Sequence, residues 1–227
     1  MSGDESRSKR TVTEASTATL PAIAGRLLRQ PTNATSLGYY RGRILLAQGN
    51  VLWATVPWLY TYVDVNAGFK QFEGQITMIG AVGDGVYVGT DEGLYFLSGE
   101  TYPTWKKDRV MDSSIVPGSL VYIPGELGNP PQESLAADTP LQVSMMFMSA
   151  NGACIASNSG QAINVTEAKF FFPTASSAAS MFRRQDGMNQ YVTTMTNPGA
   201  PVNAAAIGDY IEATIIRAAD TNNPFIK

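Results

Sequence analysis

The sequence predicts an all-β protein. Three observations carry that expectation: short runs of β-branched and aromatic residues, glycine turns between them, and a hairpin phrase that recurs with a fixed internal spacing. Hydrophobic residues make up 44% of the 227, and charged residues only 15%, against the roughly 25% of an ordinary soluble protein. A chain of this size can bury a sizeable core without covalent staples. So low a charge also fits a surface partly covered by other subunits.

The first 19 residues, "MSGDESRSKRTVTEASTAT", are small, polar or charged and read as a flexible arm that orders against a neighbour. Between Pro21 and Pro31, Leu20, Ile23, Leu27 and Leu28 fall roughly on one face, which predicts one short helix. Residues 1–37 are therefore expected to form an arm and helix, and 38–227 a β-rich domain. The expected strands are "RILLA", "VLWATV", "GVYVGT", "GLYFLS", "SLVYIP", "VSMMFMS", "ACIAS", "AINVTE", "QYVTTM" and "YIEATIIRA". The stretch from Pro124 to Pro140 is too rich in Pro, Gly and Ala for a strand and is expected to be a long surface loop.

Gly42 precedes Asn50 by eight residues, Gly85 precedes Gly93 by eight, and Gly152 precedes Gly160 by eight. Each pair brackets a strand and opens the next. Asp84-Gly85, Asn151-Gly152 and Asp186-Gly187 are dipeptides suited to type I′ hairpin turns, where both central residues take positive φ. Gly42 and Gly85 lie 43 residues apart, within the period of about 40–45 for a four-stranded propeller blade. The spacings that follow, 67 and 35, make the repeat degenerate. A propeller-like array of hairpins, incomplete or distorted, is the first architecture, and a β-sandwich or barrel the alternative.

Chemistry is sparse. The chain has no His, which removes the commonest general base and metal ligand, and Cys154 alone makes neither a disulfide nor a Cys-based metal site. No catalytic residue, cofactor or metal site is nominated, and the expectation is a protein that is not an enzyme. The G-x-G spacing at Gly83 and Gly85 lacks the following helix of a phosphate-binding loop, and Asp84, Asp91 and Glu92 lack an EF-hand frame; both read as turn chemistry. A net charge of −3 with scattered basic residues gives no footprint for specific nucleic-acid binding. The one compact basic cluster, "WKKDRV" from Trp105 to Val110, reads as a solvated loop face. No apolar run reaches the roughly 18 residues of a membrane helix. The sequons at Asn33 and Asn164 carry no weight without a secretory signal.

Two clusters read as packing surfaces. Trp53, Trp58, Tyr60, Tyr62, Phe69 and Phe72 form an aromatic-dense run suited to core or interface packing, with sugar stacking as the other reading. Met145, Met146 and Met148 read as adaptable core filler.

The phrases "GYYRGRILLAQGNVLW", "FEGQITMIGAVGDGVYVGTDEGLYFLSGE", "NGACIASNSGQAINVTEAKFFFP" and "MFRRQDGMNQYVTTM" resemble a family of virion structural proteins of tailed bacteriophages, over roughly Gly38 to Ala218. The resemblance implies a virion tail or connector component (nozzle, hub or adaptor type), made in the host cytoplasm. Its implied partners are other tail proteins and further copies of itself in a ring. A receptor- or carbohydrate-binding tail module is the alternative, and a tail-associated glycan hydrolase the third.

Overall fold

The structure is a computed structural model that describes residues 26–124, 143–166, 175–185 and 188–196, with the backbone of 214–217. The described residues form seventeen strands and one 3-10 turn, and no α-helix, so the all-β expectation holds. The arm, residues 125–140 of the expected Pro-rich loop and the Asp186-Gly187 turn lie outside the described residues.

Four antiparallel sheets follow one another along the chain. The first contains β1 (Leu28–Arg29), β2 (Ser36–Tyr40), β3 (Arg43–Gln48), β4 (Val51–Val56), β5 (Leu59–Asp64) and β6 (Phe69–Gln71). Its order is β1-β5-β4-β3-β2, with β6 also paired to β4. The second is a plain meander of β7 (Ile76–Ala81), β8 (Gly85–Thr90), β9 (Leu94–Ser98) and β10 (Lys106–Met111). The third runs β11 (Val121–Tyr122), β12 (Val143–Ser149), β13 (Gly152–Ser157) and β14 (Ala162–Asn164), and the fourth β15 (Ser177–Gln185), β16 (Met188–Thr196) and β17 (Thr214–Arg217).

Period-two alternation explains how the sheets stack. On β8, Val86 and Val88 point to one side, into an apolar layer shared with Leu45, Ala47, Leu52 and Ala54 of the first sheet. Tyr87, between them, points to the other side, into a layer shared with Met145, Phe147, Cys154 and Ala156 of the third. β12 repeats the device: Met146 and Met148 turn away from that layer into a third one, completed by Tyr191 and Met195 of the fourth sheet. The three methionines are thus core filler, as their composition suggests. Three apolar layers separate four sheets, whereas a two-sheet sandwich has one such layer. No described sheet closes on itself as a barrel.

The glycine spacing lands on equivalent hairpins. Gly42, Gly85 and Gly152 stand at the entry to β3, β8 and β13, and Asn50, Gly93 and Gly160 just before the strand that pairs next.

Three expectations are corrected. The short helix before Pro31 is not present over its described part, because Leu28 and Arg29 pair with Asp64 and Val63 as an edge strand and Leu28 is buried there. The β-rich region accordingly begins ahead of residue 38, with β1 and β2. The Asp84-Gly85 and Asn151-Gly152 turns are not type I′: neither Asp84 nor Gly85 has positive φ, and in the second pair only Gly152 does, at +132°. At Gly85 the need is space instead, since a Cβ would run into the Leu97 carbonyl and the Phe96 ring.

Candidate interaction surface

Among the described residues, both faces of the second sheet are covered by neighbouring sheets, whereas the first sheet packs on one, and its other face is built by the same alternation. Tyr40 points into the first apolar layer, so Leu37 and Tyr39 on β2 point out, 64% and 57% exposed. On β3 and β4, Leu45 and Leu52 point in, which turns Leu46 and Trp53 outward. Trp53 is half-buried because the Phe69 ring lies 5.4 Å from it and the Arg29 guanidinium sits 5.0 Å over its face. Tyr60 on β5 meets Tyr39 edge-on, with ring centroids 6.4 Å apart.

At one corner of this face the backbone takes an unusual form. Val56 pairs with Leu59, so Pro57 and Trp58 are the whole loop between β4 and β5. Proline fixes its own φ near −65°, and the second position takes φ +63°, the place a type II turn ordinarily gives to glycine. Here it is Trp58, whose side chain is 76% exposed. Its N–H donates to the Gly42 carbonyl at 3.0 Å. The indole lies over Gly42, where a Cβ would come within 3.2 Å of the ring. Arg41, next to Gly42, also has positive φ, +46°; its guanidinium lies 5.1 Å over the Tyr40 ring and donates to the Gly99 carbonyl at 3.3 Å. Two of the three non-glycine residues with positive φ among the described residues therefore meet at this corner.

The aromatic run singled out in the sequence divides accordingly. Phe72 is buried, Trp53 and Tyr62 are half-buried, and Trp58, Tyr60 and Phe69 are exposed. Leu27, Leu37 and Tyr39 join the exposed set, and these six are two-thirds of the nine exposed large hydrophobic residues described, so the apolar surface is concentrated on one sheet. Leu37 and Tyr39 were not legible as surface residues, since "SLGYY" shows no sign of which face meets the second sheet.

The other sequence features take structural roles. The basic cluster is a strand, β10, rather than a loop: it pairs with β9, three of its four charges are ion-paired, and Lys107 Nζ lies over the Phe72 and Tyr95 rings. Lys106 lies 2.8 Å from Asp108, and Arg109 is 3.0 Å from Glu73 and also paired with Asp112. Near Asp91 and Glu92 the turn is organised by Thr90, whose hydroxyl donates to the Gly93 carbonyl at 3.0 Å and accepts from the Glu92 and Gly93 N–H groups. Among the described residues no three His, Cys, Asp or Glu side chains are grouped to hold a metal ion. No described helix is long and apolar enough to cross a membrane. Of the sequon at Asn164, Thr166 is buried; its hydroxyl accepts from the Ala153 N–H at 2.9 Å and donates to Asn164 Oδ1.

No protein-family model matches the chain, and no curated protein matches it.

Proposed function

We propose that this chain is a structural component of a bacteriophage virion, placed in the tail or connector and working by multivalent packing against other tail proteins and copies of itself. The stacked meanders read as the blades of an incomplete propeller, an architecture built by radial repetition of small antiparallel sheets. The observation that carries the reading is Trp58: a large apolar ring, 76% exposed, on a backbone conformation that costs an L-residue about 1–2 kcal/mol. The fold gains little from placing an indole there, whereas Trp, Tyr and Arg are the residue types that dominate binding interfaces, and Trp58 stands beside Tyr39, Tyr60 and Arg41. The resemblance of the hairpin phrases to tail proteins supplies the setting.

The same rings favour one competing reading, a receptor- or carbohydrate-binding tail module, because sugars stack on exposed aromatic faces. Cryo-electron microscopy of purified particles separates the two together with a glycan array. Density for these stacked sheets in a tail ring, with Trp58 against a neighbouring protein, is the expected result. Particles that lack the chain overturn the proposal. Glycan binding lost on Trp58→Ala transfers the site to the competing reading.

A further inference from the structure

Tyr39 on β2 and Tyr60 on β5 are separated in the first sheet by β3 and β4, yet their rings meet edge-on with centroids 6.4 Å apart. The turns beside them are tied together: the N–H of Trp58, between β4 and β5, donates to the carbonyl of Gly42, between β2 and β3, at 3.0 Å. Loss of water is the largest cause that raises the Tyr60 hydroxyl above its ordinary 10.0, and the Tyr39 phenol is the next, so the hydroxyl-bearing ends of the two rings face each other. Among the described residues this is the only ring contact between two tyrosines; each other tyrosine in such a contact has Phe or Trp beside it. Both rings are within reach of a dissolved reagent, 57% and 38% exposed, whereas Tyr40, Tyr87, Tyr95, Tyr102 and Tyr191 are buried and Tyr62 is half-buried. Tyr122 is exposed too, but no described tyrosine lies against it.

We propose that Tyr39 and Tyr60 form an oxidative cross-linking site, joined ring to ring as dityrosine with hydrogen peroxide, acting through a peroxidase, as the oxidant. Each phenol gives up one electron and one proton, and the two phenoxyl radicals couple through the ring carbons ortho to their hydroxyls. The hydrogen on each coupled carbon then passes to its oxygen, which restores both phenols. The two electrons and two protons released reduce one hydrogen peroxide to two waters, so the reaction balances. Exposed side chains change rotamer within nanoseconds, and two rings already edge-on need only swing together to bond. The bond staples β2 to β5 across the two strands between them and closes the chain over the 21 residues from Tyr39 to Tyr60, as a disulfide of that span does. It goes beyond the virion reading and does not depend on it.

The test treats the dilute full chain with a haem peroxidase and limiting hydrogen peroxide. Expected are the blue fluorescence of dityrosine, a chain that still runs as a monomer on a denaturing gel, and a linked pair of tryptic peptides carrying Tyr39 and Tyr60, two hydrogens lighter than their sum. Tyr39→Phe and Tyr60→Phe each keep the ring and its packing, and each is expected to abolish the linked pair, whereas Tyr122→Phe leaves it unchanged. The cross-linked monomer is expected to melt several degrees above the untreated chain. Wild type that yields no dityrosine under conditions that couple free tyrosine overturns the proposal, as does dityrosine undiminished by Tyr39→Phe or Tyr60→Phe, or confined to covalent dimers. A cross-linked monomer that melts with the untreated chain overturns the stapling role. Each of these results leaves the virion reading standing, and absence of the chain from purified particles defeats that reading without touching the cross-link.

Discussion

Removing a single oxygen from Tyr87 tests the stacking of the second sheet on the third. Tyr87 is fully buried on β8, and its hydroxyl reaches the Ser157 carbonyl at 2.9 Å and the Gln161 carbonyl at 3.0 Å, both in the hairpin of the third sheet. Tyr87→Phe keeps the ring against Phe96, whose centroid is 4.7 Å away. Gln161 O still accepts from the Ser157 N–H at 2.9 Å, so the Ser157 carbonyl is the group that loses its partner. Leaving one buried acceptor short of a hydrogen bond costs about 1–3 kcal/mol; a central value of about 1.5 lowers the melting temperature of a chain this long by roughly 3–6 °C. Guanidinium unfolding should show the loss as a lower midpoint at unchanged m. Alkaline pH supplies an independent check. Burial pushes the Tyr87 hydroxyl from its ordinary 10.0 up to about 12, so the folded protein keeps a proton that the unfolded chain releases. The contribution is complete below pH 10 and is lost as pH rises toward 12, at no more than about 1.4 kcal/mol per pH unit. The variant has no such proton, so the stability curves of wild type and Tyr87→Phe should converge across that window. Equal stability at pH 8, or curves that run parallel from pH 9 to pH 12, would refute the cross-sheet anchor.

Two further outcomes follow from the same geometry. Gly85→Ala should destabilise by about 1–3 kcal/mol because its Cβ meets the Leu97 carbonyl, whereas Gly83→Ala, whose nearest contact is Asn158 at 3.5 Å, should stay within about 0.5 kcal/mol; denaturant midpoints of the pair decide it. Tyr191→Phe removes the bond from its hydroxyl to the Ser119 carbonyl, 2.7 Å, and should raise amide exchange in β15 and β16 more than in the second sheet, since that bond ties the fourth sheet to the segment entering the third.

Strands whose own residues favour extended backbone were legible. "GVYVGT", "GLYFLS" and "VSMMFMS" became β8, β9 and β12. Strands set by their neighbours were not. β10, "KKDRVM", owes its conformation to the ladder with β9 and keeps Lys106, Asp108 and Arg109 ion-paired along an open edge, where strand preference and charge point in opposite directions. β15, "SAASMFRRQ", is small and polar but pairs with β16 through nine residue pairs. The candidate surface was half visible: the aromatic run from Trp53 to Phe72 marked the sheet, but only the placement of the second sheet decides which rings are left outside.

The glycine spacing located the hairpins while misassigning the device that turns them. Asp-Gly and Asn-Gly invite a two-residue turn with positive φ at both residues, which neither pair shows, whereas the turns that follow β8 and β13 lean on a hydroxyl at the end of those strands. Thr90 stands five residues after Gly85 and Ser157 five after Gly152, and each accepts N–H groups from the turn that follows: Glu92 and Gly93 in one case, Ser159 and Gln161 in the other. The Asp84-Gly85 turn has another basis: the Val82 N–H donates to the Gly85 carbonyl at 2.9 Å, and Gly85 is there for thinness, where β8 passes the Leu97 carbonyl. The repeat is therefore a glycine, a strand, a hydroxyl and a second small residue. In the first sheet the corresponding position five after Gly42 is Ala47, which has no hydroxyl to offer, and there the turn relies on Gly49 at φ +60° instead. One hairpin geometry is thus reached by two chemical routes, which is why the spacing survives along the chain while the residue types between do not.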